Sequence, residues 1–176
     1  MILSGHYLGK LNKDLRYESP GAIPVISKRD LFSPSQLIEL YDGTLLMTSR
    51  NQQSFHCHFR IMAKSYDGAE SFAHSGIYFD ETLIDPVVAA SLLRYSNTVY
   101  FSNPASKLHR INMTVRWSGD SGASWMGNLG VWRGPSGYSC LTNIPGKLAN
   151  DTFIGLVFEK GNIRYYESIA FVRLRV

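Results

Sequence analysis

The sequence of residues 36–49, QLIELYDGTLLMTS, decides the fold class. Two apolar runs, 37–40 and 45–49, flank the dipeptide Asp42-Gly43. An Asp-Gly pair between apolar runs is the strongest short-range signal for a β-hairpin. Outward from this hairpin, the residue pattern predicts further strands at 55–63, 99–102, 111–117, 152–158 and 168–176. The one segment with helical potential, 86–93, is short. We therefore predict an all-β chain.

The composition fits one folded domain with a packed core. The chain has 176 residues, of which 44% are hydrophobic and 18% are charged. No stretch approaches the roughly 18 consecutive apolar residues of a membrane-spanning helix, and the first 17 residues lack the basic and apolar regions of a signal peptide. The net charge is +4, but the arginines are scattered instead of forming a basic stripe. Nucleic acid is therefore not an expected partner, whereas isolated arginines suit a small anion.

The cysteines and histidines do not predict a metal site. The tripeptide His56-Cys57-His58 contains adjacent residues that alternate between the two faces of a strand, so they cannot all bind one ion. The second cysteine, Cys140, is distant in sequence. We expect structural roles for both cysteines and predict neither a metal nor another cofactor.

A short turn motif occurs twice. Residues 118–125, SGDSGASW, fit the pattern S-x-D-x-G-x-x-W, and residues 65–72, SYDGAESF, are a degenerate copy that starts 53 residues earlier. The aspartate of such a turn accepts backbone N–H groups, glycine supplies a positive φ, and the aromatic ring packs beneath. The spacing is close to the roughly 40–50 residues of a four-stranded propeller blade. The repeat therefore favours a β-propeller.

Several stretches, taken together, resemble the sialidases (exo-α-neuraminidases), most closely the animal lysosomal type. They are SRNQ at 49–52, SNPA at 102–105 ahead of Arg110, GPSGYS at 134–139, FEKG at 158–161 and the two turn motifs, which resemble Asp boxes. The resemblance implies a six-bladed β-propeller, of which residues 1–176 correspond to about the C-terminal half. We expect three to three and a half blades, preceded by an irregular lead-in over residues 1–35.

The resemblance also assigns site residues. Arg50 and Arg110 match the second and third of three arginines that bind the substrate carboxylate, a group for which planar guanidinium is well suited. Tyr138 matches the nucleophile, and a neutral phenol avoids repulsion by the carboxylate on the anomeric carbon. Glu159 matches the acidic residue that orients the first arginine, which has no counterpart in this sequence.

Two further family residues have no match. The aspartate that acts as general acid and base belongs to the N-terminal half of the family. The glutamate that activates the tyrosine stands 16 residues before the second arginine, and that position here is Pro34. If a nearby carboxylate replaces this base, Glu39 is the first candidate and Asp30 the second.

The resemblance implies a retaining exo-α-sialidase that releases terminal sialic acids from glycoproteins, glycolipids and oligosaccharides. The alternative is a truncated fragment or a propeller remnant that binds sialic acid without catalysis. A protective carboxypeptidase is the partner implied by the lysosomal type. The sequons Asn112-Met113-Thr114 and Asn150-Asp151-Thr152 permit N-glycosylation. The first coincides with a similar stretch of the lysosomal type, and this resemblance favours the lysosomal lumen. A cytoplasmic location is the alternative, because no signal peptide is recognised.

Overall fold

The structure, a computed structural model, describes residues 34–52, 57–72, 77–146 and 152–176. These residues form ten β-strands and no helix, so the all-β prediction is confirmed, and none of them belongs to a helix that could cross a membrane. The strands are β1 (Ser35–Glu39), β2 (Leu45–Ser49), β3 (Phe59–Ser65), β4 (Ile77–Ile84), β5 (Ser91–Tyr95), β6 (Thr98–Pro104), β7 (Ile111–Ser118), β8 (Gly127–Pro145), β9 (Thr152–Lys160) and β10 (Ser168–Arg175).

The predicted hairpin is formed by β1 and β2, with Glu39 opposite Leu45. Asp42 Oδ1 accepts the Thr44 amide at 2.9 Å and Gly43 has a φ of +82°, so both turn residues do what the Asp-Gly signal requires. The helical potential at 86–93 is not realised. Residues 91–95 pair with β6 as strand β5, because burial of Ser91 and Leu92 in this pairing outweighs local helix propensity.

The strands form two antiparallel sheets. The first has the order β1-β2-β3-β4, and the second runs β5-β6-β7-β8-β9-β10. Strand β8 is 19 residues long: residues 127–135 pair with β7, whereas residues 136–145 pair with β9. The described residues therefore form three consecutive units, two of four strands and one of three, with β8 shared between the second and the third.

The core lies within the first unit and between neighbouring units. One apolar cluster belongs to the first sheet and includes Met47, Ile61 and Phe72. A second joins the first sheet to β5 and β6 and includes Leu46 and Phe101. A third packs β7 against β8, β9 and β10 and contains Met113, Val115, Leu141, Ile154, Leu156 and Phe158. Successive units thus pack face to face.

The two turn motifs occupy equivalent places, each between the third and fourth strand of its unit. Asp67 accepts the Ser71 amide at 2.9 Å, and Asp120 accepts the Ser124 amide at 2.8 Å. Hydrogen bonds from the hydroxyl and amide of Ser71 lower the pKa of Asp67 to about 2, and those from Ser124 lower the pKa of Asp120 to about 2. The motifs are therefore structural repeats as well as sequence repeats.

The ends of the strands define two opposite edges. The turn motifs and the Asp42-Gly43 hairpin lie at one edge, called here the turn-motif edge. Strands β2, β4, β6 and β9 end at the other edge, where β3, β5, β7 and β10 begin. Contacts across the two sheets, such as Asn103 Nδ2 to the Ile84 carbonyl at 2.8 Å, keep these strand ends together. This second edge is called the site edge below.

Candidate functional site

Tyr138 lies at the site edge in a bulge of β8. Ser136 pairs with Lys160 and Ser139 with Phe158, so three steps along β8 oppose two along β9. The extra residue interrupts the ladder, and such bulges redirect side chains, often beside active sites. Tyr138 is 42% exposed. The bulge thus presents a phenol to solvent at the point where β8 passes from the second unit to the third.

Glu159 holds the backbone of this bulge. Its Oε2 accepts a hydrogen bond from the Tyr138 amide at 2.9 Å, replacing the ladder bond that the bulge removes. Gly137 leaves the room for this contact, because a Cβ at position 137 would overlap Glu159 Oε2 and approach Tyr165 Cδ2 to 2.9 Å. The carboxylate therefore touches the main chain of residue 138.

Arg110 contacts two aromatic rings. Its guanidinium carbon is 5.2 Å from the centre of the Tyr138 ring and 4.7 Å from that of Tyr165. The Arg110 carbonyl accepts the Ser136 amide at 2.8 Å, which brings the residue beside β8, and its Nη2 donates to the Val87 carbonyl at 3.1 Å. Cation–π contacts of this kind add about 0.5–1 kcal/mol each at exposed positions.

Arg50 follows β2 directly and is half-buried at the same edge. Its amide donates to the Pro34 carbonyl at 3.2 Å. Its charge acts on Arg60: burial lowers the pKa of the Arg60 guanidinium, Asp85 raises it, and Arg50 lowers it further. The structure therefore brings Arg110, Tyr138 and Glu159 into one contact group, and places Arg50 at the same edge beside the buried Arg60.

The buried pair beneath this edge joins Arg60 and Asp85, whose nearest side-chain nitrogen and oxygen are 3.2 Å apart. Both side chains are fully buried. Arg60 Nη1 also donates to the Val88 carbonyl at 2.7 Å, and burial raises the pKa of Asp85 while Arg60 opposes this rise. Within the described residues, Arg60 Nη2 and Asp85 Oδ1 have no hydrogen-bond partner. Removal of one member would leave the other as an unpaired buried charge.

The sequence did not point to Tyr165. This residue belongs to the loop 161–167, in which the Glu167 carboxylate accepts the amides of Asn162, Ile163 and Arg164 at 2.7–3.0 Å. These bonds, led by that from Asn162, lower the pKa of Glu167. The sequence feature that could have indicated this loop is Glu167, five residues after Asn162. That one carboxylate binds three amides of the loop, and so shapes the loop that carries Tyr165, becomes visible only in the structure.

Glu39 does not fit the role of a replacement base. It stands at the hairpin end of β1, opposite Leu45, whereas Arg50 follows the other end of β2. Five residues of strand, at about 3.4 Å each, separate these ends. Asp30, the second candidate, lies outside the described residues, as do His56 and Asn150. Among the residues that the structure describes, no group of three or more His, Cys, Asp or Glu side chains is arranged to hold a metal ion.

No family model matches the chain, but comparison with individual proteins identifies similar ones. A curated protein, the sialidase of Micromonospora viridifaciens, is 33% identical over 142 residues, covering 74% of this chain and 21% of that protein. The solved Hadza microbial sialidase Hz136 superimposes with a TM-score of 0.66 at 26% identity, covering 81% of this chain and 27% of that one. The intramolecular trans-sialidase of Ruminococcus gnavus gives a TM-score of 0.66 at 21% identity, covering 82% and 33%.

The strand units and these likenesses define a glycoside hydrolase fold of the β-propeller class, present here in part, which confirms the predicted fold. The chain belongs to the sialidase family. The chain spans only 21% of the length of the curated relative that it matches. The closer relation to the animal lysosomal type stays a prediction.

Proposed function

We propose that this chain carries part of a sialic-acid site of the exo-α-sialidase type. In the whole protein, such a site would release terminal sialic acids from glycoproteins, glycolipids and oligosaccharides. Arg110 and Arg50 would bind the carboxylate, Tyr138 would attack the anomeric carbon, and Glu159 would orient a further arginine. The observation that carries the proposal is the contact of Arg110 with the Tyr138 ring at one edge, 5.2 Å from guanidinium carbon to ring centre.

The chemistry suits an anionic sugar. Of the five N–H donors of a guanidinium, one from Arg110 goes to the Val87 carbonyl, which leaves others for a carboxylate. A phenol must lose its proton to become a good nucleophile, so a tyrosine that attacks needs a base. Glu159 Oε2 accepts from the amide of residue 138, so it stabilises the loop that presents the phenol.

That same contact favours a second candidate function, a site that binds sialic acid without turning it over. Glu159 is engaged with the main chain of Tyr138, and Pro34 stands where the family has its base. Loss of a general acid or base typically lowers a rate by about 10²–10⁴-fold. We therefore expect the 176-residue chain by itself to bind sialic acid and to hydrolyse sialosides weakly or not at all.

Two assays on the purified chain separate these functions. The first measures hydrolysis of a fluorogenic α-sialoside, with Tyr138→Phe as the control. The second measures binding of N-acetylneuraminate to the wild type, to Arg110→Ala and to Arg175→Ala, the last of which removes an arginine at the turn-motif edge. A charge-assisted hydrogen bond of roughly 1.5–3 kcal/mol predicts about a 10- to 150-fold loss of affinity in Arg110→Ala only.

Binding that depends on Arg110, without turnover, supports the binding function. Turnover that Tyr138→Phe abolishes supports the hydrolase and shows that this chain supplies its own base. Binding that is absent, or equal in the wild type and in Arg110→Ala, contradicts both functions.

The lumenal location and the carboxypeptidase partner remain part of this proposal. The sequon at Asn112 lies in the described part of the chain, where Asn112 is half-buried, has a φ of +63° and stands at an irregularity in the pairing of β7 with β8. Expression through the secretory pathway, followed by glycosidase treatment of the wild type and of Asn112→Gln, tests it. A mass shift confined to the wild type supports modification at Asn112, and no shift in either contradicts it.

A further inference from the structure

The connection between β4 and β5 contains a strained residue at the site edge. Val87 has a φ of +60°. A β-branched residue in the left-handed region is a genuine outlier, because its Cβ crowds the following carbonyl. Such strain persists only where the surroundings determine the conformation, and it concentrates at ligand-binding and catalytic positions. We therefore expect contacts from the surrounding residues to hold residues 85–88 in this conformation.

Three contacts hold this turn in place. The Asp85 amide donates to the His58 carbonyl at 2.9 Å, and the Asp85 carboxylate is paired with Arg60. Arg60 Nη1 also donates to the Val88 carbonyl at 2.7 Å. Arg60 thus bridges both ends of the turn from within the core, on either side of Val87.

The consequence of the strained conformation is the direction of one carbonyl. The Val87 carbonyl accepts Nη2 of Arg110 at 3.1 Å, while the guanidinium carbon lies 5.2 Å from the centre of the Tyr138 ring and 4.7 Å from that of Tyr165. The two rings and the carbonyl together restrict the position of the guanidinium. The hydrogen bond to the carbonyl also restricts the directions in which the remaining N–H donors can point.

We propose that the turn 85–88, anchored by the buried Arg60–Asp85 pair, is the positioning element for Arg110. The strained Val87 fixes the guanidinium in the orientation in which it receives a carboxylate. This inference rests on the carboxylate-binding role proposed for Arg110. Arg60, Asp85 and Val87 are positioning residues, since they act through Arg110.

The test compares Val87→Gly with Ser96→Gly in the full 176-residue chain. Both substitutions place glycine at a position of positive φ, but Ser96, with a φ of +53°, lies in the β5–β6 turn at the opposite edge. The main readout is the side-chain Nε–H NMR signal of Arg110, assigned by its loss in Arg110→Lys, together with its hydrogen-exchange rate. We expect Val87→Gly to shift this signal and to speed exchange at least threefold, and Ser96→Gly to change neither.

A rescue variant separates positioning from packing. Asn tolerates the left-handed region, so Val87→Asn keeps the turn while it removes the apolar side chain. We expect the Arg110 signal of Val87→Asn to stay close to that of the wild type. If Val87→Gly does not fold, Arg60→Met combined with Asp85→Leu removes the anchor without leaving a buried charge, and the same signal change is expected.

Titration with N-acetylneuraminate and with its uncharged methyl ester completes the test. We expect Val87→Gly to bind the acid about three- to tenfold more weakly than the wild type, with little change for the ester. An unchanged Arg110 signal in Val87→Gly overturns the positioning role, as does a changed signal with unchanged affinity for the acid. If the wild type binds neither compound, the proposed function fails, and the Arg110 signal alone then decides whether the turn positions this side chain.

Discussion

The indole nitrogen of Trp125 donates a hydrogen bond of 2.8 Å to Oδ2 of Asp80, across 45 residues of sequence. Trp125 belongs to the second turn motif, and Asp80 lies on β4 of the first sheet. The Trp125 ring also packs on Phe101, with ring centres 5.7 Å apart. The hydrogen bond to Asp80 therefore joins the second unit to the first, while the contact with Phe101 on β6 holds the Trp125 ring within its own unit.

Trp125→Phe keeps most of the apolar contact and removes this hydrogen bond. A hydrogen bond to a charged group is worth about 1.5–3 kcal/mol, so the free energy of unfolding should fall by about that amount. Urea unfolding of the wild type, Trp125→Phe, Asp80→Ala and the double variant measures the coupling between the two residues. Strictly additive losses in the double variant would show that the bond contributes nothing.

Gly137→Ala should disturb the bulge that carries Tyr138, because the added methyl group occupies the space of Glu159 Oε2 and nears Tyr165. Overpacking of this kind typically costs about 1–3 kcal/mol. Gly130→Ala is the matched control, since it makes the same change on the same strand where nothing lies within 4 Å. Thermal unfolding of the two variants tests the prediction, and equal melting temperatures would refute it.

The turn motifs should lose stability in acid. The pKa of Asp120 and of Asp67 is held near 2 in the folded chain, below the ordinary 3.8, by bonds that require ionised carboxylates. The contribution of the two carboxylates to the free energy of unfolding is therefore complete above about pH 4, and it is lost as the pH falls from there toward 2. Both groups are exposed, so solvent weakens the effect.

Melting temperatures measured from pH 6 to pH 2 reveal this loss. Asp67→Asn combined with Asp120→Asn should lower the melting temperature at pH 6 and flatten its decline between pH 4 and pH 2. A decline as steep as in the wild type would assign acid sensitivity to other carboxylates.

Tyr78 should make the fold sensitive to strong alkali. Burial, with smaller effects from the charges of Asp80 and Asp120, raises the pKa of Tyr78 to about 12. The unfolded chain releases this proton near pH 10, so stability is retained below pH 10 and falls as the pH rises toward 12. Urea unfolding at pH 8, 10 and 11 measures the fall, and Tyr78→Phe should reduce it. An unchanged slope in Tyr78→Phe would exclude this residue as the cause.

Local sequence signals predicted the hairpin at Asp42-Gly43 because the turn chemistry is contained in two adjacent residues. They did not predict β8, which has glycine at positions 127, 130, 134 and 137 and proline at 135 and 145. Its strand conformation comes from the pairing partners on both sides, β7 and β9, which no local propensity encodes.

The same limit applies to the site. Family motifs indicated Arg110, Tyr138 and Glu159, and the structure brings these three together. The family motifs did not indicate that Glu159 contacts a backbone amide, or that Val87 takes a left-handed conformation. Both facts depend on backbone geometry. The contact of Glu159 depends on the bulge in β8, and the conformation of Val87 depends on a buried ion pair whose two members are 25 residues apart in sequence.

Strand β8 has no connecting loop between the part that belongs to the second unit and the part that belongs to the third, since residue 135 still pairs with β7 and residue 136 already pairs with β9. Tyr138 therefore stands two residues beyond this junction, and the Arg110 carbonyl accepts the amide of Ser136, the first residue beyond it. We therefore expect a change in the packing of the third unit on the second to act on the backbone that carries both the phenol and the guanidinium. A substitution at that packing surface, away from the contact of Arg110 with Tyr138, would then change the distance between the two groups.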